Sequence, residues 1–194
     1  MKICETELTG VKIVEPERRM DSRGYFARVF CHQVFASNDM ATNVAQMSVS
    51  FNERRGTLRG LHFQYPPASE TKYVRCVRGA MLDVVVDLRP ESTTYLRHIS
   101  VMLSATNGRA LFLPGRFAHG FITLTDQTEV EYMMNQLHEP ALEGGLRYDD
   151  PELDIVWPVP VSVIATRDAN WPLLATIGDH VESRMRHPEI LDRS

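Results

Sequence analysis

The chain has 194 residues, 43% hydrophobic and 24% charged, enough to fill and cover the core of one domain. A net charge of −4 argues against general nucleic-acid or membrane-surface binding, and no apolar run approaches the roughly 18 residues of a membrane span. Three cysteines without CxxC spacing (Cys4, Cys31, Cys76) and an N-terminus lacking the apolar stretch of a signal peptide predict reduced thiols in a cytoplasmic protein.

In chain order, residues 11–14 read as a short strand closed by Pro16, and turn chemistry at 21–24 leads into a second strand over 25–30. Residues 32–38 predict a turn or two of helix. The stretch 44–51 alternates, with Gln46, Ser48 and Ser50 on one face and Met47, Val49 and Phe51 on the other. A polar row opposite an apolar one suits a cavity wall, and equally an ordinary solvent-facing strand. Residues 58–64 are the next strand. Strict alternation puts Arg59 and His62 on opposite faces, and Gly60 between them permits a bulge that re-aims one.

Residues 73–78 and 81–88 read as a hairpin joined at Gly79. The run Val84-Val85-Val86 predicts that both faces of the second arm are covered, which makes Asp83 and Asp87 structural partners. Further strands are expected at 97–103, 110–113 and 119–124. Residues 128–135 alternate again, and on the face shared by Val130, Tyr132 and Met134 the phenol is the one polar tip. The segment 140–160 is loop-like, 161–165 is a last strand, and 179–194 reads as a charged tail beyond a single domain of 1–178. About ten short strands with little helix predict an all-β sandwich or barrel whose mouth forms a ligand cavity.

The chemistry concentrates in 56–72, GTLRGLHFQYPPASETK. His62, set between Leu61 and Phe63, is a candidate proton acceptor. Arg59 offers a planar cationic fork suited to phosphate or carboxylate, and Lys72 adds a second cation. A buried histidine with two surface cations accounts for this stretch equally well. There is no GxSxG, and Gln64 stands where a metal-binding barrel would carry its second histidine. Acid–base chemistry remains, with His62 as base, Tyr132 as acid and Lys72 as oxyanion stabiliser. Removal of a proton next to a carbonyl needs these parts.

Six motifs then stand in order: DSRGYF at 21–26, TLRGLHFQ at 57–64, KYVRCVRGAMLDVVVDLRPES at 72–92, LPGRFAHGF at 113–121, EYMM at 131–134 and EGGLRYDDPELDIVWP at 143–158. On them the chain resembles the dTDP-4-dehydrorhamnose 3,5-epimerases, which act on nucleotide-linked 4-keto-6-deoxy sugars. The resemblance implies a cupin-type double-stranded β-helix, or jelly-roll, barrel with short helices. It implies a homodimer whose N-terminal strands cross to the partner, with no metal and no organic cofactor. It makes His62 the catalytic base, Asp168 its buried partner, Lys72 the residue on the C4 oxygen and Tyr132 the acid on the opposite face. Arg59 and Arg23 become the diphosphate clamp, with Arg23 reaching the neighbouring chain. Gln46, His119, Glu143 and Phe26 fall on further substrate positions.

The chain departs from the best-known members at Arg28, Ser48, His138 and Arg167, where they carry a glutamate, an asparagine, a tyrosine and a lysine. All four concern the nucleotide. The motifs leave open whether C3, C5 or both are inverted, and which base the nucleotide carries. They also leave a ketoisomerase and a non-catalytic sugar-nucleotide binding protein as alternatives.

Overall fold

The structure, a computed structural model, describes residues 1–186. Its elements are β1 (Lys2–Glu5), β2 (Lys12–Glu15), β3 (Arg19–Asp21), β4 (Gly24–Phe26), helix α1 (His32–Ala36), β5 (Gln46–Asn52), β6 (Thr57–Gln64), β7 (Lys72–Arg78), β8 (Ala80–Asp87) and β9 (His98–Ser104). There follow β10 (Ala110–Leu113), β11 (Phe117–Thr123), β12 (Thr128–Met134), β13 (Glu143–Gly145), β14 (Val163–Ile164) and helices α2 (Thr166–Ala169) and α3 (Leu174–Met185).

One sheet runs β1-β2-β10-β7-β12-β5 and the other β13-β6-β11-β8-β9, with β14 added to β6 in parallel. Strands β3 and β4 form a separate hairpin. Between the sheets, Val74, Leu111 and Val130 of the first meet Val85, Leu103 and Phe121 of the second in one core. Two sheets closed on a shared core make the expected jelly-roll barrel of the cupin type.

The valine run is covered on both faces, as expected. Val85 points into the shared core, while Val84 and Val86 pack outward against Leu153, Leu174, Val181 and Met185. Asp87 is a structural knot that accepts hydrogen bonds from Arg89, Ser92 and Thr94. On β12, Val130 and Tyr132 face inward, while Glu131 and Met133 line a shallow outer pocket.

Several elements differ from the sequence reading. The expected strand over 25–30 stops at Phe26, because Phe30 turns to pack edge-on against Phe35 of α1. Strands β1, β3 and β13 span only three or four residues each, too few to establish a pattern, and β13 lies within the stretch read as loop. The boundary expected at 178/179 falls inside α3, whose Val181 and Met185 are fully buried on the barrel. The rest of the expected tail, 187–194, lies outside the described residues. Among those residues no helix is long and apolar enough to cross a membrane, and the three cysteines are free.

Candidate active site

A cavity of about 570 Å³ is lined by strands of both sheets. Arg59 and His62 both face it because β6 bulges. Arg59 pairs with Phe121 and His62 with His119, so three steps along β6 match two along β11. Gly60 makes the bulge possible. Its φ is +118°, and a Cβ there would lie 2.5 Å from Gly120 Cα. No side chain fits so close an approach of two backbones.

Strand β14 runs alongside the start of β6, and α2 then delivers Asp168 beneath the bulge. His62 Nε2 lies 2.8 Å from Asp168 Oδ1, and the Gly60 N–H donates to Asp168 Oδ2 at 3.1 Å. Burial pushes the Asp168 carboxyl up. The hydrogen bond and charge of His62, the Gly60 N–H and the Arg167 guanidinium outweigh that and hold it below the usual carboxylate value. An ionised Asp168 accepts from Nε2–H, which leaves His62 Nδ1 with its lone pair.

The facing sheet supplies Tyr132 from β12 and Lys72 from β7. Burial pushes the Tyr132 phenol well up and Asp83 adds to it, with Arg59 and a Ser50 hydrogen bond pulling partly back. The phenol therefore keeps its proton through neutral pH. Its ring meets His119 edge-to-face, centroids 6.2 Å apart. His119 Nε2 lies 2.8 Å from the buried Asp83 Oδ1, at ion-pair distance but off the line of a hydrogen bond. Lys72 Nζ pairs with Glu70 Oε1 at 2.9 Å and donates to the His62 carbonyl at 3.4 Å. The Arg59 Nε–H donates to Asn52 Oδ1 at 2.7 Å.

Of the predicted site residues, the walls of this cavity thus hold His62, Asp168, Lys72, Tyr132, Arg59, His119, Ser48 and Arg167. Glu143, His138 and Gln46 lie next to the walls. Glu143 Oε2 is 2.9 Å from Arg167 Nη1 and 3.5 Å from His138 Nε2, and Gln46 Nε2 is 3.7 Å from Met134 Sδ. Arg23, Phe26 and Arg28 are not brought to the cavity of their own chain. Phe26 ends the separate hairpin and Arg28 follows it. Arg23, with its side chain 88% exposed, pairs with Asp21.

Three neighbours were not anticipated as site residues. Asn52 continues the even-numbered polar row of Gln46, Ser48 and Ser50, so alternation carried a signal for it, whereas Glu70 lies in the loop before β7, where no alternation applies. Asp83, read only as a structural partner, stands beside His119. Among the described residues no three His, Cys, Asp or Glu side chains group as a metal site.

Fold and site together define a jelly-roll barrel with a partly exposed histidine on a buried aspartate, set across from a tyrosine and a lysine, an acid–base arrangement. The profile of the dTDP-4-dehydrorhamnose 3,5-epimerase family matches residues 5–176. A dTDP-4-dehydrorhamnose 3,5-epimerase of Methanothermobacter thermautotrophicus is 40% identical over 173 residues, 88% of this chain and 92% of its own. A dTDP-4-dehydrorhamnose 3-epimerase of Streptomyces niveus is 37% identical over 182 residues, 92% of this chain and 86% of its own. The crystal structure of the 3,5-epimerase of Bacillus anthracis with TDP and PPi bound superposes with a TM-score of 0.86 at 38% identity, covering 89% of this chain and 99% of that one. The chain belongs to the dTDP-4-dehydrorhamnose 3,5-epimerase family, and like its members it is an isomerase.

Proposed function

We propose that this enzyme inverts C3, C5 or both of a 4-keto-6-deoxyhexose linked to a nucleoside diphosphate, with dTDP as the nucleotide, in rhamnose-type deoxysugar biosynthesis. One observation carries the reading: His62, backed by Asp168, and Tyr132 line a single cavity from opposite sheets. The C4 ketone acidifies the neighbouring C–H bonds. His62 removes one proton, the bond's electron pair moves toward the C4 oxygen, and the Lys72 ammonium stabilises the enolate. Tyr132 returns a proton to the opposite face, which inverts the centre. Proton exchange with solvent then restores the phenol and the neutral imidazole. Asp168 stabilises the imidazolium while it exists.

The remaining roles belong to the same reading. Arg59, with Arg23 of the neighbouring copy, clamps the diphosphate. Gln46, His119 and Glu143 hold the substrate, and Ser48, His138, Arg167, Arg28 and Phe26 surround the nucleotide. The working form is a homodimer with exchanged N-terminal strands, in the cytoplasm. No metal or organic cofactor takes part in these steps.

The test is exchange in D2O with dTDP-4-keto-6-deoxyglucose, followed at C3 and C5 by NMR. Deuterium at both positions with a rhamnose-type product supports a 3,5-epimerase, and deuterium at C3 alone supports a single inversion. His62→Ala is expected to lower exchange by roughly 10²- to 10⁴-fold, the usual contribution of a general base. Tyr132→Phe is expected to keep exchange while impairing inversion. Full exchange by His62→Ala would remove His62 from the role of base.

A further inference from the structure

Lys72 is not a free cation. Its side chain is 10% exposed, and that of Glu70, its ion-pair partner at 2.9 Å, is 9% exposed. Glu70 stands at the end of a fastened loop. Gln64 Nε2 donates to the Ala68 carbonyl, Ser69 Oγ donates to the Gln64 carbonyl, and the Thr71 N–H donates to Asn135 Oδ1 at 2.7 Å. The carboxylate therefore has a set position relative to β7. Its second oxygen, Oε2, is buried without a hydrogen-bond partner among the described residues. One oxygen of Glu70 meets the ammonium, and the other has no hydrogen-bond partner among the described residues.

A lysine ammonium has three N–H donors on a flexible stem of four methylenes. Here two contacts hold it from the protein side, Glu70 Oε1 and the His62 carbonyl. That leaves a donor for the cavity, which Lys72 lines with His62 and Tyr132.

We propose that Glu70 is a positioning residue that tethers the Lys72 ammonium through Oε1 and aims its remaining N–H at the substrate oxygen on which charge develops. The proposal rests on the enolate reading above. An untethered lysine would share its charge among several rotamers, and misplacement by an ångström at a reacting centre lowers turnover by roughly 10²-fold. Since Oε2 makes no hydrogen bond, an amide that keeps Oε1 should serve nearly as well as the carboxylate. An alanine should not.

The experiment pairs structure with kinetics in Glu70→Ala and Glu70→Gln. Crystal structures of the wild type and both variants report the Lys72 rotamer without reference to activity. The expected result is Nζ held in the wild type and in Glu70→Gln, and displaced or spread in Glu70→Ala. In kinetics, Glu70→Ala is expected to lose about 10- to 100-fold in kcat with KM little changed, and Glu70→Gln to recover most of the loss. A purely structural role would lower the melting temperature and leave kcat of the folded fraction intact. An unmoved Nζ in Glu70→Ala overturns the tether, and so does a Glu70→Gln variant as impaired as Glu70→Ala. If the wild type catalyses no proton exchange, the enolate reading fails, while the Lys72 rotamers still decide the tether.

Discussion

Asp168 shows how one side chain ties chemistry to stability. It is buried, yet it is ionised because His62, the Gly60 N–H and Arg167 surround it. An asparagine in its place would keep the shape and lose the charge. Asp168→Asn is therefore expected to lower kcat by about 10²- to 10⁴-fold, since an amide cannot stabilise the imidazolium. The same charge contributes to folding. Its folded-state value lies below the ordinary one, so the contribution is fully present above the ordinary carboxylate range and is lost as the pH falls through the lowered value. Denaturant midpoints across acid pH should converge for wild type and Asp168→Asn below that value; parallel curves would show that the carboxylate contributes nothing. The residue types at His62, Lys72 and Tyr132 announce acid–base chemistry in the sequence. Asp168 does not, because 106 positions separate it from His62 and no local pattern records so distant a contact.

At the level of elements, the bulge in β6 does the most to build the site. Without it, Arg59 and His62 would point to opposite faces of the strand, as simple alternation demands. The glycine that permits it was visible in the sequence, whereas the close approach of Gly60 to Gly120 across the strand pair was not. Gly60→Ala sets a Cβ against backbone and holds a non-glycine residue at positive φ. It is expected to destabilise the fold by on the order of 3 kcal/mol, read from urea or thermal unfolding. A loss under about 0.5 kcal/mol, within the range of ordinary surface changes, would mean that the strands can part without consequence. Elements with strong alternation, such as β5 and β12, were legible because burial of one face writes itself into the residue pattern. Strand β13 was not, since its Glu-Gly-Gly sequence lacks side chains to alternate and pairs only because Gly144 and Gly145 let the Phe63 and Trp171 rings lie close. Helix α3 was obscured by its charges, although Leu174, Val181 and Met185 recur at helical spacing on its buried face.

For the whole molecule, the exposed surface is as informative as the core. Strand β5 ends its sheet with Ser48 and Ser50 toward the cavity and Met47 and Phe51 exposed on the other side, and the β3–β4 hairpin exposes Met20, Tyr25 and Phe26. Apolar surface of this kind calls for a covering partner. In the homodimer proposed above, a second copy of the chain covers both features, and the hairpin lent across the interface gives Arg23 a use that its place outside its own cavity denies it. The arrangement can be tested without seeing the interface. Arg23→Ala and His62→Ala dimers should each be impaired for different reasons. In a mixed dimer, the cavity of the Arg23→Ala chain keeps its own His62 and receives Arg23 from the neighbour, so one of its two sites is whole. Unfolding and refolding the variants together at equal amounts should make half of the dimers mixed, and so restore about a quarter of wild-type turnover. If Arg23 instead served its own chain, the mixed dimer would contain no whole site, and the mixture would be no more active than the average of the separate variants. Sedimentation of the wild type decides between this outcome and a monomer, for which mixing could restore nothing.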